Sequence, residues 1–271
     1  MTEDASFDHL NDVLKRFIAR ANEELSLRWN QWKIDLSHNE FHEVAGSLLA
    51  RQVTLATQIA MNPQIWNGDV APIILRAMAD VYITLAWVLR DPINRSKQFI
   101  HYGLGQEKLQ LEHRRADIDG REPMEGELDY IKSIENWINS QRAIFLTDVN
   151  VGSWSGISTR KMAEEAECLD FYNYVYTPFS ACAHSMWHHV ARYNLMQCQN
   201  PLHQLHGVPY VPDHFIDPYY MYLGAKYLQK TFSTFDMATS ISIEGHSAYD
   251  LLYDGFYTDT PDETEKDESK K

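Results

Sequence analysis

Arg76 and Asp80 stand four residues apart in the most apolar stretch of the chain, so on a helix they share one face. Ile73, Ile74, Leu75, Met78, Val81, Leu85 and Trp87 surround them and leave that helix little polar surface. A guanidinium and a carboxylate buried there must be paired and hydrogen-bonded. They form either a local ion pair at a bundle edge or part of a site for anionic charge. A second stripe has the same spacing: Asn173, Tyr176, Ser180, His184 and His188 recur every three or four residues. Amide, hydroxyl and imidazole groups in a row can position a substrate or move a proton. The plainer alternative is aromatic core packing with satisfied polar tips, and it suits His188 better than His184. Tyr102, with His101 and Glu107, makes a third polar group.

Twelve histidines raise the question of a metal. His38 and His42 are four apart with Glu43 beside them, and His184 and His188 repeat that spacing. An HxxxH pair without its acid motif has little specificity. His203, His206 and His214 show no recognised ligand spacing. We therefore expect no metal ligand and no cofactor. GxGxxG, GxxxxGK[ST], GxSxG and CxxC are all missing from the chain. Lys97, Lys108, Arg114 and Arg115 alternate with Glu107 and Glu112, which suits a solvated helix face better than an RNA-contacting ridge.

The elements that must position these groups read as helices. Apolar periodicity predicts helices over residues 7–29, 37–61, 72–89, 93–116, 127–143 and 160–167. Ser37 with Glu40 reads as a capping box, Ser158 as a cap, and Pro72 as a first-turn proline. Residues 170–199 read as one long helix kinked at Pro178, and residues 219–253 as another, which Gly245 can break. Residues 147–158 are irregular, and residues 200–218 form a loop with four prolines. The expected fold is all-α: one irregular bundle of seven or eight helices over residues 1–258, then a charged, disordered tail over 259–271.

Of 271 residues, 44% are hydrophobic and 23% charged, an ordinary globular balance. Seven Trp, 15 Tyr and 11 Phe supply bulky packing groups. Net charge is −14, and residues 259–271 hold six acids against three lysines, so most of the negative charge lies on the body. Such a body repels phosphate backbones and disfavours broad nucleic-acid coating. Cys182 and Cys198 on one helix would stand about 24 Å apart, beyond disulfide reach, so free thiols in a reducing compartment are expected. Met1-Thr2-Glu3-Asp4 opens no apolar leader, and residues 81–89 are too short to span a bilayer. The expected location is the cytoplasm, with no membrane partner.

Arg76-Ala-Met-Ala-Asp80, Leu89-Arg-Asp-Pro92, Phe99 and Tyr102 together resemble the domain-of-unknown-function 5677 family, found mainly in bacteria. So do Trp154-Ser-Gly-Ile-Ser158, Arg160, Met162-Ala163-Glu164, Tyr172, Tyr176, Ser180 and His184. The resemblance spans about residues 40–200. It implies a helical fold with recurring polar positions at Arg76, Asp80, Tyr102, Ser180 and His184. More distantly, the set is similar to the helical HEPN ribonucleases of bacterial defence and toxin systems, which cut RNA without metal. That likeness implies Arg76, Asp80 and His184 as catalytic groups, with Tyr102, Tyr176, Ser180 and His188 binding substrate. Their Arg-x4–6-His motif on one helix is absent here. The alternative is a non-catalytic module that binds a ligand or a protein, as a regulatory subunit or an antitoxin does. RNA, a small anionic ligand or a second copy of the chain are the partners to expect.

Overall fold

In α1, Glu3–Gln31, residues Val13, Leu14, Phe17 and Ala21 repeat at helical spacing, and all four are buried. This is the first element of a computed structural model, which describes residues 3–140, 154–213 and 215–257. The tail over 259–271, residues 147–153 of the irregular piece and His214 lie outside the described residues. Among the described residues the protein is all-α apart from one small hairpin.

Asp35, rather than Ser37, starts the next turn. Its carboxylate accepts the Ser37 N–H in a 3₁₀ turn, Leu36–His38, and α2 follows at Asn39–Met61. Hydrogen bonds from Ser37 and His38 hold the Asp35 carboxyl down to about 2. Asn62-Pro63 ends α2 as expected. The third helix, α3 (Ala71–Val88), has Pro72 in its first turn. It packs against α2, against α10 (Tyr219–Thr239) and against the segments after residue 158. By length and composition, α3 passes for a membrane span, contrary to the shorter apolar run read from residues 81–89. Yet 72% of it is buried inside the protein, which is the position of a core helix.

The fourth helix, α4 (Pro92–Ile118), lies on α2, and α5 (Glu127–Ser140) packs on α4 through a separate cluster of Leu111, Ile131 and Ile138. Ser158 caps α6, Thr159–Glu165, by accepting the Lys161 N–H. At the other end of the chain, α10 and α11 (Ala248–Tyr257) pack on one another, and α11 returns against α1. The expected 219–253 helix breaks between them, with Ser240 at φ +55° and Gly245 at φ +90°.

The helix expected over 170–199 is replaced by short pieces. First come α7 (Leu169–Phe171), a π turn (Tyr172–Tyr176) and α8 (Thr177–Ala183). Pro178 has no N–H for the carbonyl one turn back, and the π turn immediately before it absorbs that mismatch. The break falls later, at Ser185, which takes φ +48°. Its N–H bonds the Cys182 carbonyl while the Met186 N–H bonds Ala181, the double closure of a Schellman stop. Then α9 (Trp187–Tyr193) leads into β1 (Leu195–Gln197), antiparallel to β2 (Gly207–Pro209), with Met196 opposite Val208. A Cβ on Gly68 would meet the Tyr193 ring at 2.5 Å, so a glycine there lets α9 close against the turn before α3.

Candidate functional site

Arg76 points inward from α3, at 9% exposure. Its Nε donates to Ser180 Oγ at 2.7 Å, and its Nη1 pairs with Asp80 Oδ2 one turn further along the same helix. The guanidinium lies 3.3 Å from the centroid of the Tyr176 ring. Ser180 in turn donates to the Tyr176 carbonyl at 2.8 Å, and Tyr176 Oη donates to Thr159 Oγ1 on α6 at 3.3 Å. Tyr172 stacks on Tyr176 at 4.7 Å. Four of the expected residues, Arg76, Asp80, Tyr176 and Ser180, therefore form one contact group between α3 and the π turn with α8. The local sequence explains it: three- and four-residue spacing aims Tyr176 and Ser180 at α3, and the π turn keeps both on that side.

Asp80 differs from Arg76. Its side chain is 49% exposed, at the edge of the group. Partial burial pushes its carboxyl above the usual range, while Arg76 and, last, the charge of His184 pull it down. That coupling places His184 within electrostatic reach of Asp80. His184 is the C-terminal cap residue of α8 and faces solvent. Beyond the Ser185 break, His188 is exposed on α9 and no longer continues the stripe. The neighbouring His189 instead lies 3.3 Å from Asp69 and tilts against Tyr193 at 4.7 Å. Asn173 is exposed, and Tyr102 is half-buried on α4, a helix packed mainly on α2 and α5.

The family model of a family of unknown function (DUF5677) matches residues 42–201, more than half of the chain. The chain belongs to this family. The DUF5677 stretch contains Arg76, Asp80, Tyr102, Tyr176, Ser180, His184 and His188 alike. No curated protein and no solved structure matches the chain.

The HxxxH pairs lead elsewhere. His42 is buried between Trp29, 4.2 Å away, and Trp32, stacked at 4.0 Å, and burial lowers its pKa. His38 bonds Asp35 at 2.8 Å. Cys168, Cys182 and Cys198 are free thiols, although the helix used to separate the last two is broken. Burial raises Cys168 to about 11 and also raises Cys182, which leaves both poorly nucleophilic.

A second buried arginine was not expected. Arg28 on α1 grips Asp236 on α10 with two hydrogen bonds, at 2.8 and 2.7 Å. Its signal was in the sequence: the buried face of α1 through Phe17 and Ala21 runs on at the same spacing into Glu24 and Arg28.

Proposed function

We propose that this DUF5677 chain is a non-catalytic helical module that binds a basic protein partner along residues 174–187, with Asp80 and His184 at the edge of the contact. The engagement of Arg76 carries this reading. Its guanidinium bonds Asp80 and Ser180 and has a ring against its face, so this cation supports the stripe rather than meeting a phosphate. Within residues 174–187, Tyr174 and Trp187 are 80% and 73% exposed, with Met186 between them in sequence at 45%. Exposed aromatic and methionine side chains supply the anchors of protein interfaces. A net charge of −14 repels nucleic acid and steers basic surfaces toward it. A regulatory subunit or an antitoxin opposing an RNA-binding protein has this chemistry, since RNA binders are themselves basic. The free thiols fit a reducing, cytoplasmic location.

The test is capture on the full chain from the cells that make it, followed by reconstitution with the purified partner. The partner should be basic, binding should weaken as salt rises, and Trp187→Ala should weaken it at least about tenfold. Unchanged affinity after Trp187→Ala and Tyr174→Ala together overturns the reading. So does retention of a second copy of the chain in place of a basic protein.

One observation favours a second reading, a metal-independent HEPN-like ribonuclease: His184 faces solvent, and its charge reaches the half-exposed Asp80 weakly. In it His184 transfers the proton, Asp80 orients it, and Arg76 leaves Asp80 to meet the phosphate. Tyr102, Tyr176, Ser180 and His188 line the RNA. Expression of the wild type would then slow growth and degrade cellular RNA, while Arg76→Ala and His184→Ala would be harmless. Equal RNA integrity in all strains is the outcome the binding module predicts.

A further inference from the structure

The hairpin brings together three side chains that look unrelated in sequence. Cys198 leaves β1, and His203 and His206 sit in the loop before β2, a Cys-x4-His-x2-His spacing. Their ligand atoms all lie within 4.8 Å of one another, and Cys198 Sγ is 3.7 Å from His203 Nδ1. Each part of the loop is pinned. The Cys198 N–H bonds the His206 carbonyl at 2.8 Å, and the His203 N–H bonds the Asn200 carbonyl at 2.9 Å. The Asn200 side-chain oxygen accepts the Leu202 N–H, while its nitrogen lies 3.4 Å from His203 Nε2, on the far side of that ring from the thiol. Between the two histidines Leu205 takes φ +60°, with its side chain 99% exposed. A left-handed leucine standing in solvent gains nothing from packing, so the cost of its conformation is borne by the shape of the loop itself.

We propose that Cys198, His203 and His206 bind one Zn²⁺ ion, with water in the fourth position. One thiolate and two imidazoles are the ligand softness that selects zinc over magnesium or calcium. Tetrahedral zinc, with Zn–S near 2.3 Å and Zn–N near 2.0 Å, sets its ligand atoms about 3.5 Å apart. With all three ligand atoms within 4.8 Å of one another and the Cys198–His203 pair at 3.7 Å, the trio stands close to that spacing. Both imidazoles are exposed, so the fourth position opens to solvent. On binding, the Cys198 thiol gives its proton to solvent, and the sulfur lone pair forms the metal bond. Three-residue strands are too short to hold a hairpin in water alone, and the ion adds a clamp across its loop. None of the three ligands belongs to the Arg76 group or to residues 174–187.

The experiment uses the untagged full chain, reduced and metal-free, titrated first with Co²⁺ and then with Zn²⁺. One equivalent of Co²⁺ should give a thiolate-to-cobalt charge-transfer band, which one equivalent of Zn²⁺ removes. Cys198→Ser should abolish the band, whereas Cys168→Ala should leave it. His203→Ala and His206→Ala should each weaken zinc binding at least about tenfold, because even supporting groups around a metal cost that much. Circular dichroism of each variant confirms that the helices persist. Absence of the band with stoichiometric Co²⁺ overturns the proposal, as does a band that survives Cys198→Ser.

Discussion

Arg28 and Arg76 are both buried on helices, and each meets an aspartate and an aromatic ring, yet the two clusters differ in where their carboxylates end. Arg28 lies 3.9 Å over Phe232 and reaches across to Asp236 on α10, whose side chain is 19% exposed. Its Nη1 also donates to the Glu24 carbonyl, and the Glu24 carboxylate accepts the Ala248 N–H at the start of α11. Three helices from the two ends of the sequence are tied there. Arg76 pairs with an aspartate on its own helix, so that pair joins no distant segments, and its link outward is the hydrogen bond to Ser180. Asp80 ends at the surface. The same chemistry thus makes a closed fastening in one region and, in the other, a support for an exposed acid.

The largest effect expected from this contrast is on Arg28. Arg28→Ala leaves Asp236 and Glu24 without their cation and should cost about 3–5 kcal/mol in urea unfolding. Arg76→Ala should cost less, about 1–2 kcal/mol, because water can solvate the Asp80 left behind. Equal losses for the two substitutions would erase the distinction. Ser185→Gly removes a left-handed serine from the helix stop beside His184 and should stabilise the fold by about 1 kcal/mol in the same assay.

The smallest expected effect concerns pH. Burial raises the Glu24 carboxyl above its ordinary 4.5, against the Ala248 N–H and Arg28, so the folded chain keeps that proton longer than the unfolded one. The stability it contributes is full below 4.5 and is lost as pH rises through the raised folded value. Asp80 carries the same sign from its ordinary 3.8. Because Asp80 is half exposed, Glu24→Gln should flatten the pH–stability curve more than Asp80→Asn does. The reverse order would place the closed cluster at Asp80.

These regions were unequally legible in the sequence. Prolines 63, 72 and 92 marked helix ends plainly, and the stretch around Arg76 was apolar enough to announce a buried cation. The two faces that meet at the Arg76–Ser180 contact followed from helical spacing, although their meeting did not. The stop at Ser185 did not, because its left-handed position holds serine where glycine is usual, and Glu167 and Ser240 hide two further turns in the same way. The hairpin was missed because its strands are three residues long and lie among Pro, His and Asn. The burial of Arg28 was legible from the α1 face, but its partner was not: Asp236 is 208 residues away, and no local pattern pairs them.

Nitrogen-15 NMR of the Arg76 side chain, with a single-stranded RNA oligonucleotide titrated into the full chain, tests the role of this arginine most directly. With the guanidinium held by Ser180, Asp80 and Tyr176, its Nε–H signal should stay in place as RNA is added, and should move in Ser180→Ala. A saturable shift of that signal with RNA in the wild type would mean that Arg76 leaves its partners for phosphate, and would contradict the support role given to it here.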